Sequence, residues 1–366
     1  MKNIAVIAKT KGLEFDDRIR KECIALSKKY HVTIFVVFDD NRQEEGITSY
    51  GIKYKSFRIK TRDILPQSKF LLIKAFEYYL KVIVHLKEFD LFWAHEEYAF
   101  LFPLLAKKNK CIWDLHETPD KFNNYLMRKV FHYIEKKSYK IIHANNYRIN
   151  HLKNIHVIKD LKKHTYLNNF PDLKFLQSTK ENNNYKQFQN WLDGSNYIYL
   201  QGLSFVGRYP INTIESVIET NSKAVVVGEI ESGSLKYLNK KYPNLDSFIY
   251  FTGMVDQLEI TKYIINSQLT IIMYDSSSAN ELYCEPNRLY QSIGLNKPVI
   301  TGNNPPMKDI VEKYGLGLSL KNDGSKKSEI INAIQQLNES YDLYKDNLLK
   351  HSKRFIWQDR LVYEIL

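Results

Sequence analysis

The chain has 366 residues, 44% hydrophobic and 26% charged, with 53 Lys+Arg against 41 Asp+Glu and a formal net charge of +12. At roughly 100–200 residues per domain this length favours two domains. Aromatic residues are abundant and no stretch is dominated by Pro, Gly or Ser, which excludes a disordered chain, a fibrous repeat and a short disulfide scaffold.

The first apolar run, Ile4-Ala5-Val6-Ile7-Ala8, has the continuous pattern of a strand buried on both faces. A helical pattern follows over residues 17–30, then a second run over residues 32–38. Strand, helix and strand at this spacing predict a βαβ unit and a parallel sheet. The rhythm continues with strands over 90–94, 110–114 and 140–144 and helices over 98–107 and 121–138. The texture changes between Pro171 and Gly194, where Ser178-Thr179-Lys180-Glu181-Asn182-Asn183-Asn184 has no strand or helix period, so residues 171–195 read as a linker. Strands are then predicted over 197–200, 224–228, 247–251, 269–274 and 298–301. Two doubly wound domains are expected. Sheets of this kind bind ligands at the carboxyl ends of their strands.

Three cysteines, Cys23, Cys111 and Cys284, lie far apart without a C-x-x-C pair and read as small buried thiols. The N-terminal apolar run is too short for a signal-peptide core. No window reaches the roughly 20 apolar residues of a membrane span. The expected location is therefore the cytoplasm, with the inner membrane face as a docking surface. Residues 53–87 carry nine Lys/Arg (among them Lys53, Arg58, Lys69 and Lys81) against Asp63 and Glu77, interleaved with Phe70, Leu72, Ile73, Phe76 and Leu80. A basic, apolar-rich helix of this kind suits an anionic membrane, and it equally suits ordinary packing on the domain. The charge surplus attracts polyanions, but no nucleic-acid-binding module accompanies it, so nucleic acid is not an expected partner.

The most informative stretch runs Glu285-Pro286-Asn287-Arg288-Leu289-Tyr290-Gln291-Ser292-Ile293-Gly294 and on through Lys297-Pro298-Val299-Ile300. It is a loop, a helix opening near Pro286 and a turn into a buried strand. The first helical turn, with its free amides and dipole, is an anion site in waiting, and any αβ unit could carry the same residues without using it. The stretch resembles the donor-site signature of retaining GT-B glycosyltransferases of family 4. Other pieces fall in that family's order: Asp16-Asp17-Arg18-Ile19-Arg20-Lys21-Glu22, Asp114-Leu115-His116-Glu117, Asn168-Asn169-Phe170-Pro171, Gln201-Gly202 with Gly207-Arg208, Val227-Gly228, Phe251-Thr252-Gly253 and Phe355-Ile356-Trp357.

The resemblance implies a GT-B fold: two Rossmann-like α/β domains facing a cleft, with a C-terminal helix crossing back. The acceptor-side domain would be residues 1–170, the nucleotide-sugar domain 196–345 and the returning helix 346–366. It implies transfer of a sugar from a nucleotide diphosphate donor, UDP-linked by expectation, to a glycan or lipid-diphosphate-linked glycan in surface-polysaccharide synthesis, with retention. Arg208 and Arg288 would hold the diphosphate, with Gly207, Glu285, Pro286 and Asn287 around the donor. His116 would approach the transferred sugar, and Arg18, His95 and Glu117 would line the acceptor side. Asp16 is expected to cap its helix rather than to do chemistry. The family's glutamate pair falls here on Tyr283 and Gln291; Gln291 retains hydrogen-bonding capacity toward a ribose, and Glu281 and Glu285 flank Tyr283.

The chain has no D-x-D, no Walker A sequence, no G-x-G-x-x-G and no H-E-x-x-H. Neither a metal ion nor another cofactor is therefore expected; arginines and helix amides would neutralise the diphosphate. Two further readings stay open on sequence: a nucleotide-sugar epimerase of the same architecture, and a non-catalytic subunit that binds a sugar nucleotide or glycan.

Overall fold

A computed structural model describes residues 1–65, 69–107, 110–118, 124–181 and 183–366. The chain divides into two compact units, Met1–Asn168 with Gln358–Leu366, and Asn169–Trp357.

The first unit is built on an eight-stranded sheet ordered β3-β4-β2-β1-β5-β6-β7-β8. The strands are β1 Asn3–Thr10, β2 His31–Phe38, β3 Glu45–Ile47, β4 Lys53–Ser56, β5 Leu91–His95, β6 Cys111–Leu115, β7 Lys140–His143 and β8 His164–Tyr166. Every pairing is parallel except β3 with β4. Central β1 is continuous with the core because both faces are covered, and Ala5, Val6, Ile7 and Ala8 are fully buried. Its register sets Val6 beside Ile34 of β2 and Trp93 of β5. The helix Asp17–Ser27 follows β1, and the Asp16 carboxylate caps it by accepting from Ile19 N at 3.2 Å. The helix buries Asp17, Arg18, Arg20, Lys21 and Glu22 as well as its apolar face. Asp17 offsets much of that charge, with Arg20 at 2.7 Å and Lys21 at 2.6 Å.

The second unit has an all-parallel six-stranded sheet, β11-β10-β9-β12-β13-β14. Its strands are β9 Tyr197–Leu203, β10 Lys223–Ile230, β11 Ile249–Gly253, β12 Leu269–Ile272, β13 Val299–Thr301 and β14 Gly317–Ser319. The long apolar runs of the sequence all appear as strands. The short strands β3, β4, β8 and β14 carry too little apolar pattern to be read in advance.

Residues 171–195 do not form a linker. They contain the helices Leu173–Leu176 and Asn183–Leu192, with Phe175, Tyr185 and Phe188 buried in the core of the second unit. Four polar residues and Asn182, which lies outside the described residues, hide a two-faced pattern that begins one residue later. Residues 53–87 are likewise not one helix: β4, a short helix Lys60–Ile64 and the helix Leu71–Ile83 share them, and residues 66–68 lie outside the described part. The helix expected over 121–138 spans Tyr125–Lys137, with residues 121–123 outside the described part. Toward the C-terminus the helix Tyr341–His351 belongs to the second unit, and the short helix Arg360–Tyr363 packs on Asp17–Ser27 in the first. Among the described residues no helix is long and apolar enough to cross a membrane. Cys23 and Cys111 are buried free thiols, and Cys284 is half-buried.

Candidate functional site

Each unit gathers one group of polar side chains at the carboxyl ends of its parallel strands. In the second unit the turn after β9 carries Gly207 and Arg208, and the helix Asn287–Gly294 carries Arg288 in its first turn, just past Pro286. The Arg208 guanidinium donates through Nη1 to the Gly202 carbonyl at 2.5 Å, and Arg288 Nη1 donates to the Gln201 carbonyl at 2.7 Å. Both stack over one ring: their Cζ atoms lie 5.1 and 4.9 Å from the centroid of Tyr274, just past β12. These described partners are backbone carbonyls and a ring face, not carboxylates. Burial lowers the pKa of Arg208, and the neighbouring Arg288 charge adds to that effect. Burial likewise raises the Tyr274 phenol. Two desolvated cations side by side are unfavourable until an anion joins them.

Gly202 makes this approach possible. Its φ is +69°, and a Cβ there would run into the Nη1 atoms of both arginines. Gly207 is equally constrained, since a Cβ would meet the Asp275 carboxylate. One turn beyond Arg288 on the same helix, Gln291 is buried, and its Oε1 has no hydrogen-bond partner among the described residues, nor has Arg288 Nε. The other predicted donor residues are engaged locally. Glu285 accepts from the Tyr290 hydroxyl at 2.5 Å, and Asn287 Oδ1 accepts from Asn169 Nδ2 at 2.8 Å. Tyr283 ends the short helix Ala279–Leu282 and is half-buried.

In the first unit the parallel register pairs His95 at the end of β5 with Asp114 on β6, and His116 follows two residues later. Arg18 grips Asp114 with two bonds, Nε to Oδ2 at 2.9 Å and Nη2 to Oδ1 at 2.7 Å, and gives Nη1 to the Leu167 carbonyl at 2.6 Å. Glu22 lies 2.9 Å from Arg18 Nε. His116 places Nε2 2.9 Å from Asp114 Oδ2 and Nδ1 2.9 Å from Glu96 Oε1, which also accepts from the His116 backbone N–H. Glu96 holds this position at φ +61° and ψ −177°, a backbone region that glycine alone visits at low cost. Arg148 donates to the His116 carbonyl. Arg18 and His95 are thus buried inside the group, His116 is partly exposed and Glu117 is exposed.

The electrostatics assign protons. Burial drives His95 down to about 3, so it is neutral. Burial would also lower His116, but the Asp114 and Glu96 carboxylates override it and raise it to about 10. Burial and the adjacent Asp114 charge push Glu22 well above the usual carboxylate range. Burial opposes ionisation of Asp114 too, yet Arg18 and His116 hold it well below that range. His116 at neutral pH is consequently a hydrogen-bond donor rather than a base. Among the described residues, His95, Asp114 and His116 each offer one ligand atom within 4.8 Å of the others.

Arg208, Arg288 and His116, singled out in the sequence, each fall in one of these two groups, while Tyr274, Glu22 and Glu96 join them without having been singled out. An aromatic residue just past a strand, and a Glu beside each histidine in sequence or on the neighbouring helix, are the signals that mark them.

No protein-family description and no curated relative matches the sequence. Solved structures do. Sucrose-phosphate synthase from Thermosynechococcus elongatus is 12% identical with a TM-score of 0.75, covering 100% of this chain and 97% of that one. HepE from Anabaena, solved in complex with UDP-glucose, is 14% identical with a TM-score of 0.73, covering 100% and 98%. WaaG, a glycosyltransferase involved in lipopolysaccharide biosynthesis, is 14% identical with a TM-score of 0.66, covering 99% and 98%. At such identities the likeness concerns architecture, and with two parallel α/β sheets in the order described, the chain has the GT-B fold of glycosyltransferases.

Proposed function

We infer that the protein is a retaining, family 4-like glycosyltransferase that moves a hexosyl group from a UDP-sugar to a glycan or lipid-diphosphate-linked glycan in surface-polysaccharide synthesis. The observation that carries this reading is the Arg208–Arg288 pair, a half-buried and a buried guanidinium on the Tyr274 face whose described polar partners are main-chain carbonyls. A diphosphate satisfies such a pair, and it is the group on which charge develops when the glycosidic bond breaks. The structural neighbours solved with UDP or UDP-glucose support the choice of uridine, and WaaG's role in lipopolysaccharide synthesis supports the pathway.

In this reading Arg208 and Arg288 bind the diphosphate and take the place of a metal ion, Gln291 accepts from a ribose hydroxyl, and His116, whose two ring N–H groups go to Asp114 and Glu96, serves the transferred sugar as a positive charge rather than as a free donor. His116 is cationic and Glu22 bears its proton, so neither of these two acts as the base. The acceptor hydroxyl attacks the anomeric carbon from the face the diphosphate leaves, and a leaving phosphate oxygen takes its proton, which retains the configuration. The helix Leu71–Ile83 presents Leu72, Ile73, Phe76 and Leu80 to solvent, and with the surrounding lysines and arginines it is suited to hold the enzyme at an anionic membrane that carries a lipid-linked acceptor.

A thermal-shift screen with UDP, GDP, dTDP, CDP and ADP tests the assignment. A ligand at 100 times its Kd adds about 2.7 kcal/mol of stability. A shift of several degrees with UDP, absent in Arg208→Ala, is expected. No shift with any of the five nucleotides would overturn the transferase assignment.

A further inference from the structure

The His95–Asp114–His116 group in the first unit has a second capacity. We propose that His95 Nδ1, Asp114 Oδ2 and His116 Nε2 form a binding site for a borderline divalent cation of the Zn²⁺ type, with a fourth position left open to solvent. The proposal stands apart from the diphosphate arginines, which belong to the other unit.

The first argument is spacing. His95 Nδ1 lies 3.5 Å from His116 Nε2 and 3.5 Å from Asp114 Oδ2, and His116 Nε2 lies 2.9 Å from Asp114 Oδ2. Ligand atoms at about 2.0–2.1 Å from a tetrahedral ion sit roughly 3.3–3.4 Å from one another. The three atoms therefore already mark one face of such a tetrahedron, and only the His116–Asp114 edge needs to open, by a few tenths of an ångström. The register of β5 against β6 fixes two of the three, so no loop must reorganise to assemble them.

The second argument is what stands behind the ligands. A metal-bound imidazole is usually oriented by a carboxylate on its other nitrogen. His116 has that partner in Glu96 Oε1, 2.9 Å from its Nδ1; at His95 the Glu22 carboxyl lies 3.5 Å from Nε2, a buried nitrogen with no hydrogen-bond partner among the described residues that it is placed to satisfy. Arg18 bonds both oxygens of Asp114, Nη2 on Oδ1 and Nε on the ligating Oδ2, and so orients the carboxylate. An ion bound there displaces the proton that His116 Nε2 otherwise shares with Asp114, so the dication replaces a positive charge the group already holds beside the Asp114 and Glu96 carboxylates. His116, with 23% of its side chain exposed, provides the route of entry that the buried His95 and Asp114 lack.

The test uses the whole, nucleotide-free protein, first treated with a chelator and then titrated with Co²⁺ as a spectroscopic stand-in and with Zn²⁺ as competitor. One Co²⁺ per chain with the strong visible absorption of a four-coordinate ion is expected, and Zn²⁺ should displace it. His116→Gln should abolish the band, Glu96→Gln should weaken affinity by about 10–100-fold, and His31→Gln, at an exposed histidine outside the group, should change nothing. His116 and Glu96 are both partly exposed, so these variants avoid the folding risk of replacing Asp114. Absence of the band, or a band that survives His116→Gln, overturns the proposal. Because no nucleotide is present, this result and the UDP screen succeed or fail separately.

Discussion

At the scale of single residues, the proposed diphosphate site depends on a hydrogen atom at Gly202. Gly202 has a positive φ, and both arginine Nη1 atoms occupy the space where a side chain would begin. Gly202→Ala should therefore do more than strain the backbone, which costs about 1–2 kcal/mol in a left-handed position. The methyl group must push Arg208 and Arg288 off the Gln201 and Gly202 carbonyls and away from the Tyr274 face. We expect UDP affinity to fall at least tenfold by isothermal titration while the circular-dichroism spectrum of the fold persists. An unchanged Kd would mean that the arginines do not need this seat to bind the diphosphate. The two arginines themselves were legible in the sequence because Gly207-Arg208 and Pro286-Asn287-Arg288 fall in a recognisable order. Tyr274 was not, because an aromatic residue ending an apolar run reads as core; its role emerges only when two distant segments bring cations to the same ring. Glu96 was hidden for a related reason, since a strained backbone leaves no composition signal in a non-glycine residue.

At the scale of elements, the contrast between strands and helices explains what a sequence reader sees. Strands buried on both faces, such as Ala5–Ala8 within β1, write themselves as unbroken apolar runs. The helix Asn183–Leu192 does not: its buried Tyr185 and Phe188 are separated by polar residues that suit its outer face. The helix Leu71–Ile83 reverses the expectation for a surface helix. It buries Lys74, Ala75, Tyr78 and Val82 and exposes Leu72, Ile73, Phe76 and Leu80. Tyr78 explains the inner face, because its hydroxyl donates to the carbonyls of Ala8 and Phe35 and so ties the helix to β1 and β2. The outer face has no such tie among the described residues and makes an apolar stripe beside exposed Arg58 and Lys69. If it meets lipid, the protein should sediment with vesicles containing anionic lipid and be released by salt, since each nearby cation contributes about 1 kcal/mol. Leu72→Glu with Phe76→Glu should reduce vesicle binding at least tenfold and leave UDP binding intact. Equal sedimentation of wild type and the double variant would remove the membrane from the proposed function.

At the scale of the whole molecule, the chain leaves the first unit after Asn168 and comes back after Trp357. The two crossings are fastened together within the second unit: Trp357 N donates to the Pro171 carbonyl at 2.9 Å, and Phe355 packs with Phe170 and Tyr290. The returning segment then completes the first unit. Val362 and Ile365 are buried, the Tyr363 hydroxyl donates to the Ala25 carbonyl at 2.9 Å, Lys29 lies 3.7 Å from the Tyr363 ring centroid, and the Tyr139 hydroxyl donates to the Leu366 carbonyl at 2.8 Å. Ala25 and Tyr363 are 338 residues apart in sequence, so the first unit gains its last contacts only after the second has been synthesised, and contacts this distant form late. Deleting residues 358–366 removes two buried aliphatic side chains and a packed tyrosine, which at about 1.5–3 kcal/mol for each large apolar side chain should cost the first unit several kcal/mol. Hydrogen exchange locates that loss. Protection should fall in β1 and in Asp17–Ser27, while β9 to β14 keep theirs and the UDP-induced thermal shift survives. A uniform loss across both sheets would show that the terminal segment supports the two units alike, and unchanged protection would show that the first unit is complete without it.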